Sequence, residues 1–338
     1  MLAPLKLAAG QAWAAWRDYP AMRRRLTAAA PGPPILVTGM YRTGTTWVGA
    51  MLTPAGLWHL HEPFNPNRGL WHDELAYVSA RAARPPIDDL VTGLLRGRHR
   101  RVLRFARARR WFTPMRLLPI DPSRVLLKDP SAALLSEYLV RRHGMRALVL
   151  FRHPAAVVWS FLRLAWPTGE LVDRLRSSEA LMDDWLAPVA SSMDLARGRD
   201  DSLSGAVLYA CVAKVLQGFL ERNPDTMTRI FFEDLCADPI GRFRALLENL
   251  DLLYDERVRE VHLRLTREGD QGREERPHGV VRTSARVAGR WRAELPEADL
   301  ATIRGIWERF DLPLYREPAD WRRDAPEPET ARDRTPVR

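Results

Sequence analysis

The segment Arg42-Thr43-Gly44-Thr45-Thr46-Trp47 carries the clearest chemistry in the chain. It follows an apolar run, Ile35 to Gly39, and opens a stretch of helical composition. A strand, a glycine turn and a helix start aim successive backbone N–H groups at one point, with the positive end of the helix dipole behind them. That geometry holds an anion. The spacing from Gly39 to Gly44 is that of a nucleotide phosphate loop, which carries Lys and then Ser or Thr directly after its second glycine. Here Thr45 stands in the lysine position and the loop's cation, Arg42, lies inside it. A loop that grips phosphate without that lysine points to a nucleotide other than ATP or GTP. A strand–turn–helix with no ligand is the bland alternative.

The departure resembles the 5′-phosphosulfate loop of the sulfotransferases, whose pattern is Lys/Arg-Ser/Thr-Gly-Thr-Thr-Trp between a strand and a helix. Residues Arg42, Thr43, Gly44, Thr45, Thr46 and Trp47 match it position by position. The resemblance implies 3′-phosphoadenosine 5′-phosphosulfate (PAPS) as donor and adenosine 3′,5′-bisphosphate (PAP) as product, with no metal. It also implies a second motif: an apolar strand, Arg-x-Pro, and a helix carrying Ser. Arg152-His153-Pro154 and Ser160 fit it, and would hold the 3′-phosphate. A forked guanidinium and a hydroxyl suit that group. A third segment, Val281 to Arg292, resembles the family's basic loop and its Gly-x-Trp-Lys/Arg ending through Gly289, Trp291 and Arg292. The triplet before that ending is Ser284-Ala285-Arg286 rather than Arg-Lys-Gly, so Ser284 and Arg286 carry over as phosphate ligands, with Arg282 as a substitute. Phe232-Glu233-Asp234-Leu235 resembles a scaffold segment after the last strand.

Moving a sulfuryl group asks little covalent chemistry of a protein; positioning and charge stabilisation dominate, by analogy with phosphoryl transfer. Arg42 and Lys128 are the expected cations for the leaving oxygen, Lys128 by its likeness to the family's strand-end lysine. An ion pair with Asp129 is the alternative for Lys128. A general base must take the acceptor's proton. One family branch places a His two residues after that lysine; here the position is Pro130. Other branches use a Glu after the second strand region, which Glu62 resembles. A carboxylate near Trp58 and Phe64 is expected to have a raised pKa. His61 is the second candidate, and His153 a third on the 3′-phosphate side. A kinase or other nucleotide triphosphatase with Asp129 holding Mg²⁺, or a non-catalytic nucleotide-binding protein, are the competing classes.

These residues need a scaffold. Short all-apolar runs at Ile35–Gly39, Val125–Leu127, Ala147–Phe151 and Arg229–Phe232 alternate with helical stretches. That pattern predicts a parallel sheet covered on both faces, a three-layer α/β/α P-loop-like sulfotransferase fold, with ligand groups at the strand C-termini. Ser131 is expected to cap a helix running to Arg142. The expected organisation is an amphipathic helical segment over residues 1–30, one domain over 31–317, and a disordered, Pro- and Arg-rich tail over 318–338. The N-terminal segment is expected to pack on the body, with peripheral membrane contact as the alternative.

The chain has 338 residues and a net charge of +10, with its densest basic run at Arg96–Arg110. No nucleic-acid module accompanies that charge, so no nucleic-acid partner is expected; the run reads as a solvated face or a surface that steers anions. No window is expected to match the ~20 apolar residues of a membrane span. Cys211 and Cys236 are the two cysteines. They are expected as buried free thiols, consistent with a cytoplasmic location; with Arg42 in the first loop and the segment Glu62-Pro63-Phe64, the chain most resembles bacterial-type members of the family. The acceptor is expected to be a small molecule or a glycosylated compound. Residues between Phe64 and Asp121, and between Trp166 and Arg199, are left to wall its pocket.

Overall fold

A computed structural model of the chain describes residues 32–99, 124–267 and 288–323. The N-terminal segment, most of the basic run, and Arg282, Ser284 and Arg286 lie outside the described residues. Among the described residues five strands form the sheet: β1 (Ile35–Gly39), β2 (Leu57–His61), β3 (Arg124–Lys128), β4 (Arg146–Phe151) and β5 (Met227–Phe231). Their order is β2-β3-β1-β4-β5 and every pair is parallel. The edge strand β2 delivers His61 and Glu62; the sequence showed it only as a short apolar segment.

Successive strand residues feed two cores, as the period-2 pleat requires. Leu36, Leu60, Leu127, Val149 and Phe151 face one side. Ile35, Val37, Leu57, Leu126, Leu148 and Leu150 face the other. Helix α1 (Thr45–Leu52) covers the second face together with a helix at Pro239–Asn249. The first face is covered by helices at Pro154–Arg163, Ser202–Arg222 and Glu297–Arg309. The layers are helix, sheet, helix. The chain leaves β1 towards β2 on one side, while β4 and β5 lie on the other, so the loop after β1 opens at the crevice where strand order reverses.

Three expectations change. Helix Ser202–Arg222, capped by Asp201 and Ser204, is long and apolar enough to cross a membrane by length and composition. It is mostly buried between the sheet and its neighbours, so its apolarity serves the core. The helix after β3 starts at Ser136 behind a 3-10 turn at Ala133–Leu135; Ser131 does not cap it. The ordered chain also runs past residue 317. Pro318–Trp321 forms a 3-10 turn whose Trp321 is buried, its indole N–H donating to the Tyr315 carbonyl at 2.9 Å.

Candidate active site

The loop after β1 is built by its glycines. Gly39 has φ +146°, and a Cβ there would collide with the Leu150 carbonyl of β4. Gly44 has φ +100°, and a Cβ there would enter the Phe232 ring. Between them Arg42 takes φ +71°, a left-handed conformation uncommon for a non-glycine residue. Thr43 turns inward, its Oγ1 donating to the Met40 carbonyl at 2.7 Å. The backbone N–H groups of Gly44, Thr45 and Thr46 donate to no other described group. They are orphan donors of a helix start, available to an anion.

The two phosphate motifs meet. Arg42 Nε donates to Ser160 Oγ at 2.8 Å, and Arg152 Nη1 donates to the Arg42 carbonyl at 3.1 Å. Residues 118 and 110 apart in sequence thus form one cluster at the ends of β1 and β4. Arg152 is only 4% exposed, and its guanidinium lies 4.7 Å from the Phe232 ring centre. Its backbone is fixed by Tyr209, whose hydroxyl donates to the Arg152 carbonyl and accepts from its N–H. Burial pulls the Arg152 pKa down, opposed by Glu233; guanidinium stays charged all the same. A buried cation gains strongly from an incoming anion.

On the other flank, register places His61 of β2, Lys128 of β3 and Val37 of β1 in one row. Glu62, immediately after, has φ +54°. One of its oxygens, Oε1, takes a short charged hydrogen bond from Lys128 Nζ. The other accepts from Asn65 Nδ2 at 2.9 Å and lies 3.6 Å from Arg68 Nη2. His61 Nε2 is 3.7 Å from Oε1. Burial raises the Glu62 pKa, but Lys128, Arg68 and Asn65 outweigh it and hold the carboxyl below its ordinary range. This corrects the expected rise: burial does push the pKa up, yet the cations decide. Lys128 pairs with Glu62, and its stem, 1% exposed, runs past Gly49 of α1, where a Cβ would sit 3.0 Å from Lys128 Cγ.

Other expected residues have different roles. Trp47 is buried edge-on against Phe232 and Phe243 at 5.7 and 5.2 Å, so it anchors α1 in the core rather than lining the loop. His153 is not placed as a base. It stacks on Trp291 at 4.5 Å and meets Tyr315 and Trp321 edge-on, and its Nδ1 accepts from the Ala155 N–H. Glu233 is scaffold: it accepts from the His153 N–H and the Tyr315 hydroxyl, both at 2.8 Å. Trp291 therefore docks the end of the third segment beside the Arg152 motif.

Sequence reasoning gave Tyr41, Asn65 and Arg68 no part in the reaction, and considered Asp129 only as a partner for Lys128 or a Mg²⁺ holder in a kinase. Asp129 is fully buried; Oδ2 accepts from the Phe64 N–H at 2.6 Å and Oδ1 from the Ser131 N–H at 2.9 Å. Tyr41 donates to Glu74 at 2.7 Å and takes a bond from Ser131 Oγ at 2.8 Å. The spacing of Asn65 and Arg68 after Glu62, three and six residues on, was the available signal. Among the described residues no group of three or more His, Cys, Asp or Glu could hold a metal ion.

A family profile described as "Sulfotransferase family" matches residues 33–256. A search of curated proteins found no match. Among solved structures, a sulfotransferase domain from the curacin biosynthetic pathway is similar at 17% identity and TM-score 0.45, covering 83% of this chain and 99% of its own. A sulfotransferase domain from the Synechococcus PCC 7002 olefin synthase is similar at 17% identity and TM-score 0.42, covering 84% and 96%. The sulfotransferase STF1 from Mycobacterium tuberculosis H37Rv follows at 15% identity and TM-score 0.38, covering 75% of each chain.

Proposed function

This chain belongs to the sulfotransferase family, and we propose that it moves a sulfuryl group from PAPS to the hydroxyl of a small or glycosylated acceptor, with Glu62 as general base. The observation that carries the reading is the meeting of Arg42, Ser160 and Arg152 beside the N–H groups of Gly44, Thr45 and Thr46. Two anion sites side by side suit a nucleotide with phosphates at the 5′ and 3′ positions. They suit a linear triphosphate poorly.

In this reading the 5′-phosphosulfate sits on the N–H groups of the loop, and the 3′-phosphate displaces or joins the Arg42–Ser160 bond next to Arg152. The acceptor oxygen attacks sulfur in line as the bond from sulfur to the 5′-phosphate oxygen breaks. The electron pair stays on that oxygen, stabilised by the helix dipole, Arg42 and Lys128. The acceptor's proton passes to Glu62. Because Lys128 and Arg68 hold Glu62 ionised, it is ready to accept at neutral pH but is a weak base, so the proton moves late, as the oxygen becomes acidic on bonding to sulfur.

The kinase alternative needs Asp129 for Mg²⁺, and both of its oxygens are engaged by backbone N–H groups. The test is transfer of label from sulfur-labelled PAPS to a panel of hydroxyl acceptors, without added metal. Labelled product in the wild type and its loss in Glu62→Gln support the reading; transfer of phosphate from Mg-ATP to the same panel would replace it.

A further inference from the structure

We infer that Asp129 is a positioning residue that couples the base to the donor loop: its carboxylate holds the turn carrying Glu62, and its charge strengthens Glu62 as a base. The inference rests on Glu62 being the base of the proposed transfer. Its ground is the set of bonds around one buried side chain. Oδ2 takes the Phe64 N–H, two residues after Glu62, and so fixes a turn whose Glu62 sits at φ +54°. Oδ1 takes the Ser131 N–H, and Ser131 Oγ reaches Tyr41 in the donor loop at 2.8 Å. The Asp129 backbone is itself locked to β1: its N–H donates to the Val37 carbonyl at 2.9 Å, and its carbonyl accepts from Thr38 Oγ1 at 2.7 Å. One residue therefore joins β1, the donor loop and the base turn.

Electrostatics adds a second role. The charged and titratable groups facing Asp129 are Glu62 from the base turn, Lys128 on its own strand and Tyr41 from the donor loop. Burial, then repulsion from Glu62, pushes Asp129 up to about 7. The repulsion is mutual, so ionised Asp129 raises the proton affinity of Glu62 against the pull of Lys128 and Arg68. When Glu62 receives the acceptor's proton its charge disappears, and Asp129 is relieved. Protonating Asp129 instead turns one accepting oxygen into a hydroxyl facing a backbone N–H and loosens the turn. Activity should then fall as pH drops through about 7, on a limb that belongs to Asp129, while Glu62 titrates lower.

Asp129→Asn imitates the protonated acid. In that variant kcat should fall roughly ten- to a hundredfold. Affinity for PAP should stay within about twofold, and the acid limb near pH 7 should vanish. Wild-type kcat with the limb unchanged would overturn the inference, as would parallel loss of PAP affinity, which marks a general scaffold. A carbon-13 titration of the Asp129 carboxyl keeps the question decidable if the variant does not fold. In PAP-bound Glu62→Gln protein its pKa should drop by about one unit relative to wild type; no change sinks the coupling. If wild type moves no sulfuryl group from PAPS yet that drop is seen, the reaction reading fails and the coupling stands.

Discussion

At the scale of the residue, the site divides its cations between two tasks. Arg42 donates to Ser160 and Arg152 to the Arg42 carbonyl, while Lys128 and Arg68 flank Glu62. Glu62→Gln keeps the shape and removes the proposed proton acceptor, so kcat should fall by about a hundredfold or more with PAP affinity little changed; steady-state kinetics and calorimetry read the two separately. Because Lys128 and Arg68 depress the Glu62 pKa, the stability it contributes is present above the ordinary carboxylate range and is lost as pH falls through the depressed value. Ser160→Ala leaves Arg42 without the hydroxyl it donates to. It should weaken PAP more than adenosine 5′-monophosphate, by a few-fold, in the same titration.

Arg42, Gly44 and Arg152 were legible in the sequence because their jobs are local: a turn, a positive φ, a strand end. Glu62 was legible as a candidate but its pKa direction was not. The cation that bonds it, Lys128, comes from another strand, and no sequence spacing carries that contact; Arg68, six residues on, was the one local signal among the cations. His153 looked like chemistry in the sequence and is an aromatic packing residue in the fold, because Trp291 and Trp321 reach it from the far end of the chain.

At the scale of the element, α1 works at both ends of the site. Its N-terminal N–H groups face the donor loop, and its Gly49 leaves the channel through which Lys128 reaches Glu62. A methyl at Gly49 would press on Lys128 Cγ at 3.0 Å and on His59 Cε1 at 3.1 Å. Gly49→Ala should therefore lower kcat about tenfold by shifting Lys128, with PAP binding preserved, although alanine favours helix. Kinetics of the variant against its PAP affinity decides this; wild-type kcat would show that the channel has slack. The all-apolar strands made β1, β3, β4 and β5 readable in advance. The strand β2 was not read as one, since a five-residue segment between a glycine and a proline carries no period of its own and gains its identity by pairing with β3.

At the scale of the whole molecule, the segment from Tyr315 to Trp321 underlies the site. Trp321 and Tyr315 close on His153, next to the buried Arg152, and Tyr315 also binds Glu233. The Pro- and Arg-rich composition hid this, because one buried tryptophan does not change the average polarity of a tail. Trp321→Ala should cost about 3 kcal/mol and lower the melting temperature by several degrees, with PAP affinity falling less than stability. Thermal unfolding with and without PAP separates the two effects; a melting temperature equal to wild type would mean that the Trp321 indole adds nothing to stability.

The central claim is that two phosphates on one ribose are read by two motifs that meet at Ser160. The most direct measurement is calorimetric titration of wild type and Arg152→Ala with PAP, adenosine 5′-monophosphate and Mg-ATP. PAP should bind wild type about tenfold to a hundredfold tighter than the monophosphate, as one charge-assisted phosphate contact is worth roughly 1.5–3 kcal/mol, and Arg152→Ala should erase most of that margin. Tighter binding of Mg-ATP than of PAP, or an Arg152→Ala loss equal for all three ligands, would contradict it.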